Sequence, residues 1–440
     1  MTSITQVAQA MRSVLTEYAD KAGRETGFVK RASKMGGAEF AQTLSFGWLS
    51  NPGATLEELA QTAASMGVKI SAQGLDQRFT ESGARFLKEV LGEAVTQLIQ
   101  GKAAVLPILR RFSAVYIQDS SVVDLPEDFR EIWPGNGNGS GKAQSAVKIE
   151  VRLDLLSGEM IGPFLESGRT HDAASHIQRQ PTPAHSLRMA DVGYWSLDEL
   201  NKIAASGGYW LSRLKSTIRV AHPGSESQEI VSFLKHLNSV STDCHVLVSD
   251  LHPTSVRLLA IRVPQEVADQ RRRKLREDAK KRRKTASERS LALADWTVLV
   301  TNVPDNLLSL EEALILMRSR WQIELLFKLW KSNGSIDEWR SSKPWRILCE
   351  VYAKLLAMLM QHWLFLVGFW QFANRSWVKA TQTIRKHALH LASTFATPAS
   401  LEAAIQVIKN CLEAGCRINK RKTDLRNFQL LESLSDRVLA

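Results

Sequence analysis

The chain has 440 residues and a formal net charge of +12 at pH 7, with a sequence pI near 9.6. A length beyond the ~250–300 residues at which one core stops growing predicts several domains, and the cationic surplus points to a polyanionic partner. Four scattered cysteines, Cys244, Cys349, Cys411 and Cys416, suggest neither a disulfide framework nor a paired-ligand zinc site, and they suit a reducing cytosol.

The amino-terminal stretch MTSITQVAQAMRSVLTEYAD interrupts its apolar residues with Gln, Arg and Glu, so no secretory signal is expected. Residues 1–95 read as helical. Thr55 can cap a helix bearing Leu56, Leu59 and Ala60, Gly67 ends it, and Ser71 caps a second helix with Leu75 and Phe79 inward. Such a pair is helix-turn-helix-like, either a groove reader presenting Gln73, Asp76, Gln77 and Arg78 or a plain packing unit.

From about residue 100 the texture turns to strands. AVYIQDSSVVDLP, 114–126, is a β-rich run that reaches Asp119 and then two serines, read either as a metal-site acid at a strand end or as an ordinary turn. WPGNGNGSGK, 133–142, reads as a linker, since it lacks the spacing of a phosphate-binding loop. SAVKIEVRLDLLSGEMIGPFLESG, 145–168, fits a hairpin turning at Ser157–Gly158. HSLRMADVGYWSLDELNKIAASGGYWLSRLK, 185–215, predicts a strand into Asp191, a helix capped by Ser196 and a further strand.

Residues 216–304 hold the strand-like segments CHVLVSD, SVRLLAIRVP and DWTVLVTNVP around a basic run. Between 270 and 289, eleven Lys/Arg stand against three Asp/Glu, so this run contributes +8 of the total charge. It reads as a phosphate-contacting arm or a disordered loop.

MRSRWQIELLFKLWKS, 317–332, predicts an apolar-faced helix whose polar stripe carries Arg320, Glu324, Lys328 and Lys331 at helical spacing, either a solvated ion-pair face or a site. LLAMLMQHWLFLVGFWQF, 355–372, has Gln361 and His362 at its middle, so a buried helix is expected and no membrane partner. The remaining residues, 373–440, form amphipathic helices.

The spacing Arg320-x3-Glu324-x6-Lys331 resembles the third catalytic segment, Tyr-x2-Arg-x3-Glu-x6-Lys, of DDE insertion-sequence transposases. Met317 holds the Tyr place, a departure that removes a hydrogen-bond donor. Asp-Ser-Ser at 119, Ala-Asp-Val-Gly-Tyr-Trp-Ser at 190–196 and Gly-Tyr-Trp-Leu-Ser-Arg-Leu-Lys at 208–215 follow the order of that family. The resemblance implies an α/β fold: an RNase H-like catalytic domain in two parts, 96–215 and 305–372. A mainly β inserted domain, 216–304, separates the parts, with a helical DNA-binding region at 1–95 and a helical dimerisation region at 373–440, the last equally readable as a structural cap.

The same resemblance implies that Asp119, Asp191 and Glu324 are the catalytic, metal-binding carboxylates. Hard oxygen donors favour two Mg²⁺, or Mn²⁺, ions. Arg320 and Lys331 would grip the non-transferred strand. Trp296, 28 residues before Glu324, would stack on a flipped base, or else belong to a sheet core. Arg213, Lys215, Arg271, Arg272, Arg273 and Lys274 complete the expected DNA contacts. The implied activity is cut-and-paste transposition by a homodimer on double-stranded DNA. A simple RNase H-fold nuclease and a non-catalytic DNA-binding derivative are the alternatives.

Overall fold

A computed structural model describes residues 3–31, 34–137, 144–237, 239–249, 253–281 and 283–436. Half of the expected linker, residues 138–142, lies outside the described residues, as does Arg282 of the basic run.

The chain opens with α1 (Ile4–Arg12), α2 (Ala19–Glu25), α3 (Gly37–Ser50), α4 (Leu56–Ser65), α5 (Ala72–Asp76) and α6 (Glu81–Thr96). Strands β1 (Val115–Leu125), β2 (Ser145–Asp154), β3 (Met160–Ser167) and β4 (Leu187–Ala190) follow, then α7 (Leu197–Ala205) and β5 (Tyr209–Arg213). Next come β6 (Arg219–Ala221), β7 (Gln228–Glu229), α8 (Ile230–His236), β8 (Ser241–Val248), β9 (Thr254–Arg262), α9 (Gln265–Lys281), α10 (Glu288–Leu293) and β10 (Trp296–Thr301). Helices α11 (Leu310–Arg318), α12 (Trp321–Ser332), α13 (Pro344–Gly368), α14 (Trp377–Ser393), α15 (Pro398–Ala414) and α16 (Asn427–Asp436) close it.

Helix starts fall where capping side chains satisfy otherwise orphaned backbone donors. Thr55 Oγ1 accepts from the Glu58 amide while the Thr55 amide donates to Glu58 Oε2 at 2.7 Å, a reciprocal box that begins α4. Gly67, at φ +84°, lies just beyond the end of this helix. Ser71 caps α5 as expected, but α5 is only five residues long. Asp76, expected to face out, is instead ion-paired with Lys343 at 2.5 Å and Arg346 at 3.3 Å.

The expected single helix over 317–332 is two. Buried Ser319 turns its amide back to the Leu316 carbonyl at 2.8 Å, an i to i−3 bond that tightens and ends α11 before α12 begins. Arg320 therefore lies in the turn before the helix that carries Glu324. Met317 is buried near the end of α11.

The chain divides into two compact units. The first comprises Met1–Leu109, Asp119–Thr170 and Trp321–Gln429; the second comprises Arg110–Gln118, His171–Arg320 and Leu430–Ala440. The terminal helical regions read separately in the sequence thus contribute to one unit. Its axis is α13, long and apolar enough to span a bilayer but with its most apolar window wholly buried. α3, α6 and α14 pack on it, beside an aromatic cluster in which Phe28 stacks on Phe86 at 4.9 Å between ring centroids. Strand order in this unit is β3-β2-β1, with β2 and β3 antiparallel around the expected Ser157–Gly158 turn.

In the second unit the order is β1-β4-β5-β10-β9-β8-β6-β7. β1, β4 and β5 are parallel. β10 pairs antiparallel with β5, Thr301 opposite Leu211 and Leu299 opposite Arg213. The strands of 216–304 therefore extend the sheet of β4 and β5 and build no separate one, and α8, α9 and α10 lie among them. The physical reason is a shared core: Trp210 of β5 and Leu200 of α7 pack in one cluster with Phe233, Val246, Val256, Leu258 and Val300. The expected α/β class holds. The basic run, expected as an arm or a loop, is largely the helix α9.

Candidate nucleic-acid-processing site

β1 and β4 run parallel in the register Val115 to Leu187, Tyr116 to Arg188, Ile117 to Met189 and Gln118 to Ala190. The next residue along β1 is Asp119 and the next after β4 is Asp191, so each acid directly follows one member of a paired couple. β1 does not end at Asp119 but continues to Leu125. Both the strand-end and the Asp-Ser-Ser turn readings are thereby corrected: Asp119 is a half-buried residue within a strand, its Oδ1 accepting from the Ser120 amide at 2.8 Å. Asp191 immediately precedes the single 3-10 turn Val192–Tyr194 and makes no side-chain capping bond to it.

Residues with no sequence signal hold this strand pair. Gln118, fully buried, donates from Nε2 to Gln178 Oε1 at 2.9 Å, and Gln178 Nε2 donates to the Tyr194 carbonyl at 2.9 Å. Arg188 of β4 donates to the Gln178 carbonyl at 3.4 Å. Burial pushes the Arg188 pKa down to about 10, against the opposing charge of Glu199. A lone Gln in a loop has neither periodicity nor spacing to mark it, and only the folded contacts single it out.

In the first unit, Glu324 stands half-buried in the first turn of α12. Lys331, near the other end of that helix, donates to the Val122 carbonyl at 2.9 Å and lies 3.8 Å from Asp337 Oδ2. α12 is also tied to the core: buried Arg375 donates to Gln322 Oε1 at 3.2 Å and to the Trp370 carbonyl at 2.9 Å.

The second unit contains a cleft of about 700 Å³ lined by Val192, Arg213, Lys215, Arg271, Lys274, Asp278 and Trp296. Four of the expected DNA cations thus share one concavity with the expected stacking residue, beside the residue that follows Asp191. The cations are not equivalent. Arg271 donates to the Trp296 carbonyl at 2.9 Å and to Thr297 Oγ1 at 3.0 Å, and burial, then the nearby Arg213 charge, lowers its pKa. Arg272 bonds Asp269 at 2.7 Å, and also Asp295. Arg273 and Lys274 are exposed. Trp296 is half-buried: it opens β10 and packs partly against the core cluster while its surface lines the cleft.

Asp119, Asp191 and Glu324 each offer only carboxylate oxygens, donors suited to a hard divalent ion. Among the described residues no three His, Cys, Asp or Glu side chains come together as an assembled metal site.

The second unit is thus an α/β fold whose parallel strand pair leads to Asp191 and whose cleft is lined by cations and a tryptophan. Residues 110–360 match the family described as Transposase DDE domain. The match covers more than half of the chain, and the protein belongs to the DDE transposases. Relatives include the transposase for insertion sequence element IS231F of Bacillus thuringiensis subsp. israelensis, 29% identical over 80% of this chain and 78% of its own length. The transposase for IS231B of Bacillus thuringiensis subsp. berliner is 28% identical over 79% of this chain and 77% of its own. That for IS1151 of Clostridium perfringens is 25% identical, covering 78% and 76%.

Proposed function

We propose that this protein is an insertion-sequence transposase that binds inverted-repeat DNA ends as a homodimer, cleaves them by phosphodiester hydrolysis and joins the freed 3′-OH ends to target DNA. It would act in the cytoplasm on nucleoid DNA. The observation that carries the reading is the Gln118 to Ala190 register, which sets the residues preceding Asp119 and Asp191 opposite one another. Asp119, Asp191 and Glu324 would hold two Mg²⁺ or Mn²⁺ ions, which stabilise charge on the attacking and leaving oxygens. The fold departs from a discrete inserted domain, since β6 to β10 continue the catalytic sheet.

The chain's own cations then bind and orient DNA. Arg213, Lys215 and Lys274 line the cleft and supply phosphate contacts, while Trp296 offers an aromatic face to an unstacked base. Arg273 adds sequence-independent backbone attraction. Arg271, engaged with the protein, shapes the cleft more than it contacts phosphate, and Arg272 is taken up by Asp269 and Asp295. Arg320 and Lys331 flank Glu324 along the chain and would hold the non-transferred strand. Lys331 must then exchange its Val122 carbonyl for a phosphate oxygen.

The test is incubation with a linear DNA bearing candidate inverted-repeat ends, Mg²⁺ and a target plasmid. Nicked ends followed by joined plasmid products are expected, and Asp119→Ala, Asp191→Ala and Glu324→Ala should each abolish cleavage while retaining end binding. Nicking without joining would favour a nuclease, and binding without cleavage a non-catalytic derivative.

A further inference from the structure

The stretch of β1 before Asp119 and the turn after Asp191 are bridged by one buried side chain. Gln178, 1% exposed, lies on a short 3-10 turn, Ile177–Arg179, in an otherwise irregular segment. Its carboxamide uses both of its ends: Oε1 accepts from Gln118 at 2.9 Å, and Nε2 donates to the Tyr194 carbonyl at 2.9 Å. Gln118 is the last β1 residue before Asp119, and Tyr194 closes the turn that Asp191 precedes, its amide returning to the Asp191 carbonyl at 3.0 Å. The backbone carbonyl of the same residue accepts from Arg188, two residues before Ala190 on β4. One residue thus meets β1, β4 and the turn beyond β4.

We infer that Gln178 is a positioning residue for transposition, a buried amide strut that fixes Gln118, the residue before Asp119, against the turn that follows Asp191. The inference rests on the reading of those acids as metal ligands. Parallel pairing already fixes the strands through Gln118 and Ala190, but beyond that pair Asp191 enters a turn and strand hydrogen bonds no longer constrain it. The strut supplies the missing constraint, because an amide must present donor and acceptor at a fixed angle to bridge an amide and a carbonyl. Carboxylates that share metal ions need such a supporting layer, since small errors in ligand placement weaken binding.

Metal choice offers a readout that loss of folding alone would not reproduce. Mg²⁺ demands near-ideal octahedral geometry and dehydrates reluctantly, whereas Mn²⁺, another ion suited to oxygen ligands, tolerates a looser ligand set. Gln178→Ala is expected to lower the Mg²⁺ nicking rate ten- to a hundredfold, with a loss of fivefold or less in Mn²⁺, while affinity for uncleaved end DNA stays within threefold. Mn²⁺ affinity on that protein–DNA complex, read by electron paramagnetic resonance, should fall five- to tenfold.

Because removing one partner strands buried polar groups, the double variant Gln118→Leu with Gln178→Leu provides the control for stability. Pairing apolar groups there should return part of the lost melting temperature, the Tyr194 carbonyl still lacking its donor, but leave the Mg²⁺ defect in place. Equal losses in both metals, unchanged Mn²⁺ affinity, or recovery of Mg²⁺ nicking together with stability in the double variant would each overturn the strut. Asp119→Ala and Asp191→Ala run in parallel. If either nicks normally, the ligand reading itself fails, whatever Gln178 does.

Discussion

Arg271 donates from its guanidinium to the backbone carbonyl of Trp296 at 2.9 Å, so a cation of the basic run holds in place the residue at the mouth of the cleft. The run is therefore divided between structure and surface. Replacing exposed Arg273 and Lys274 with Ala should weaken binding to all DNA sequences alike. The slope of log K against log salt should become shallower by ~0.9 per lost phosphate contact. Arg271→Ala should act differently, lowering stability by ~1–3 kcal/mol as the Trp296 carbonyl and Thr297 hydroxyl lose their donor. Binding titrations across salt, beside denaturant melts, separate the two; an Arg271→Ala variant that changes only the salt slope would return this residue to the DNA surface.

Trp296 combines the two roles that its sequence left open. Half of it packs against the second unit's core, so Trp296→Ala should cost on the order of 2 kcal/mol, below the ~3–5 kcal/mol of a fully buried Trp. The first nick should persist while the later step that needs an unstacked base stalls, and Trp296→Phe should restore much of it. A time course on end-labelled DNA measures this. Loss of all steps in proportion to lost stability would make the residue purely structural.

His362 makes the first unit sensitive to acid. Wholly buried on α13, it donates from Nε2 to the Gly158 carbonyl at 2.7 Å, and burial lowers its pKa from 6.5 to about 4. With the folded value below the unfolded one, its contribution is complete above pH ~6.5 and is lost as the pH falls toward about 4, on the order of 3 kcal/mol in all. Melts of the wild type and of His362→Gln at pH 7.5 and pH 5 should show the larger drop in the wild type. Equal drops would place the acid sensitivity elsewhere.

A buried ion pair secures the segment after α12. Lys354 Nζ lies 2.8 Å from Glu350 Oε1 and donates to the carbonyls of Ser335 and Glu338 at 2.9 and 2.8 Å. Lys354→Met should destabilise by ~3–5 kcal/mol by leaving the Glu350 carboxyl uncompensated, and adding Glu350→Leu should recover part of that loss. Chemical denaturation of the two variants decides it: a double variant no more stable than the single would show that the carbonyl contacts of Lys354, not its charge, matter.

Met317 stands where the family signature has Tyr, yet its side chain is 7% exposed. Met317→Tyr should therefore crowd the end of α11, costing ~1–3 kcal/mol, and bring no tighter grip on DNA ends. Stronger end binding by that variant would show that the tyrosine can reach the bound strand.

What the sequence determined by itself is what depends on neighbours a few residues away. The Thr55 and Ser71 caps, the Ser157–Gly158 turn, the strand into Asp191 and the buried character of α13 follow from local hydrogen bonding and periodicity. The spacing of Arg320, Glu324 and Lys331 carried the family likeness for the same reason. Tertiary structure alone decided the rest. It ended a helix at buried Ser319, merged the strands of 216–304 into the sheet of β4 and β5, and divided the basic run between Arg271 inside and Arg273 outside. It also brought Gln178 against Gln118, 60 positions earlier in the chain. Such contacts are set by shape and burial in the assembled core, and no local pattern encodes which distant groups will share a hydrogen bond.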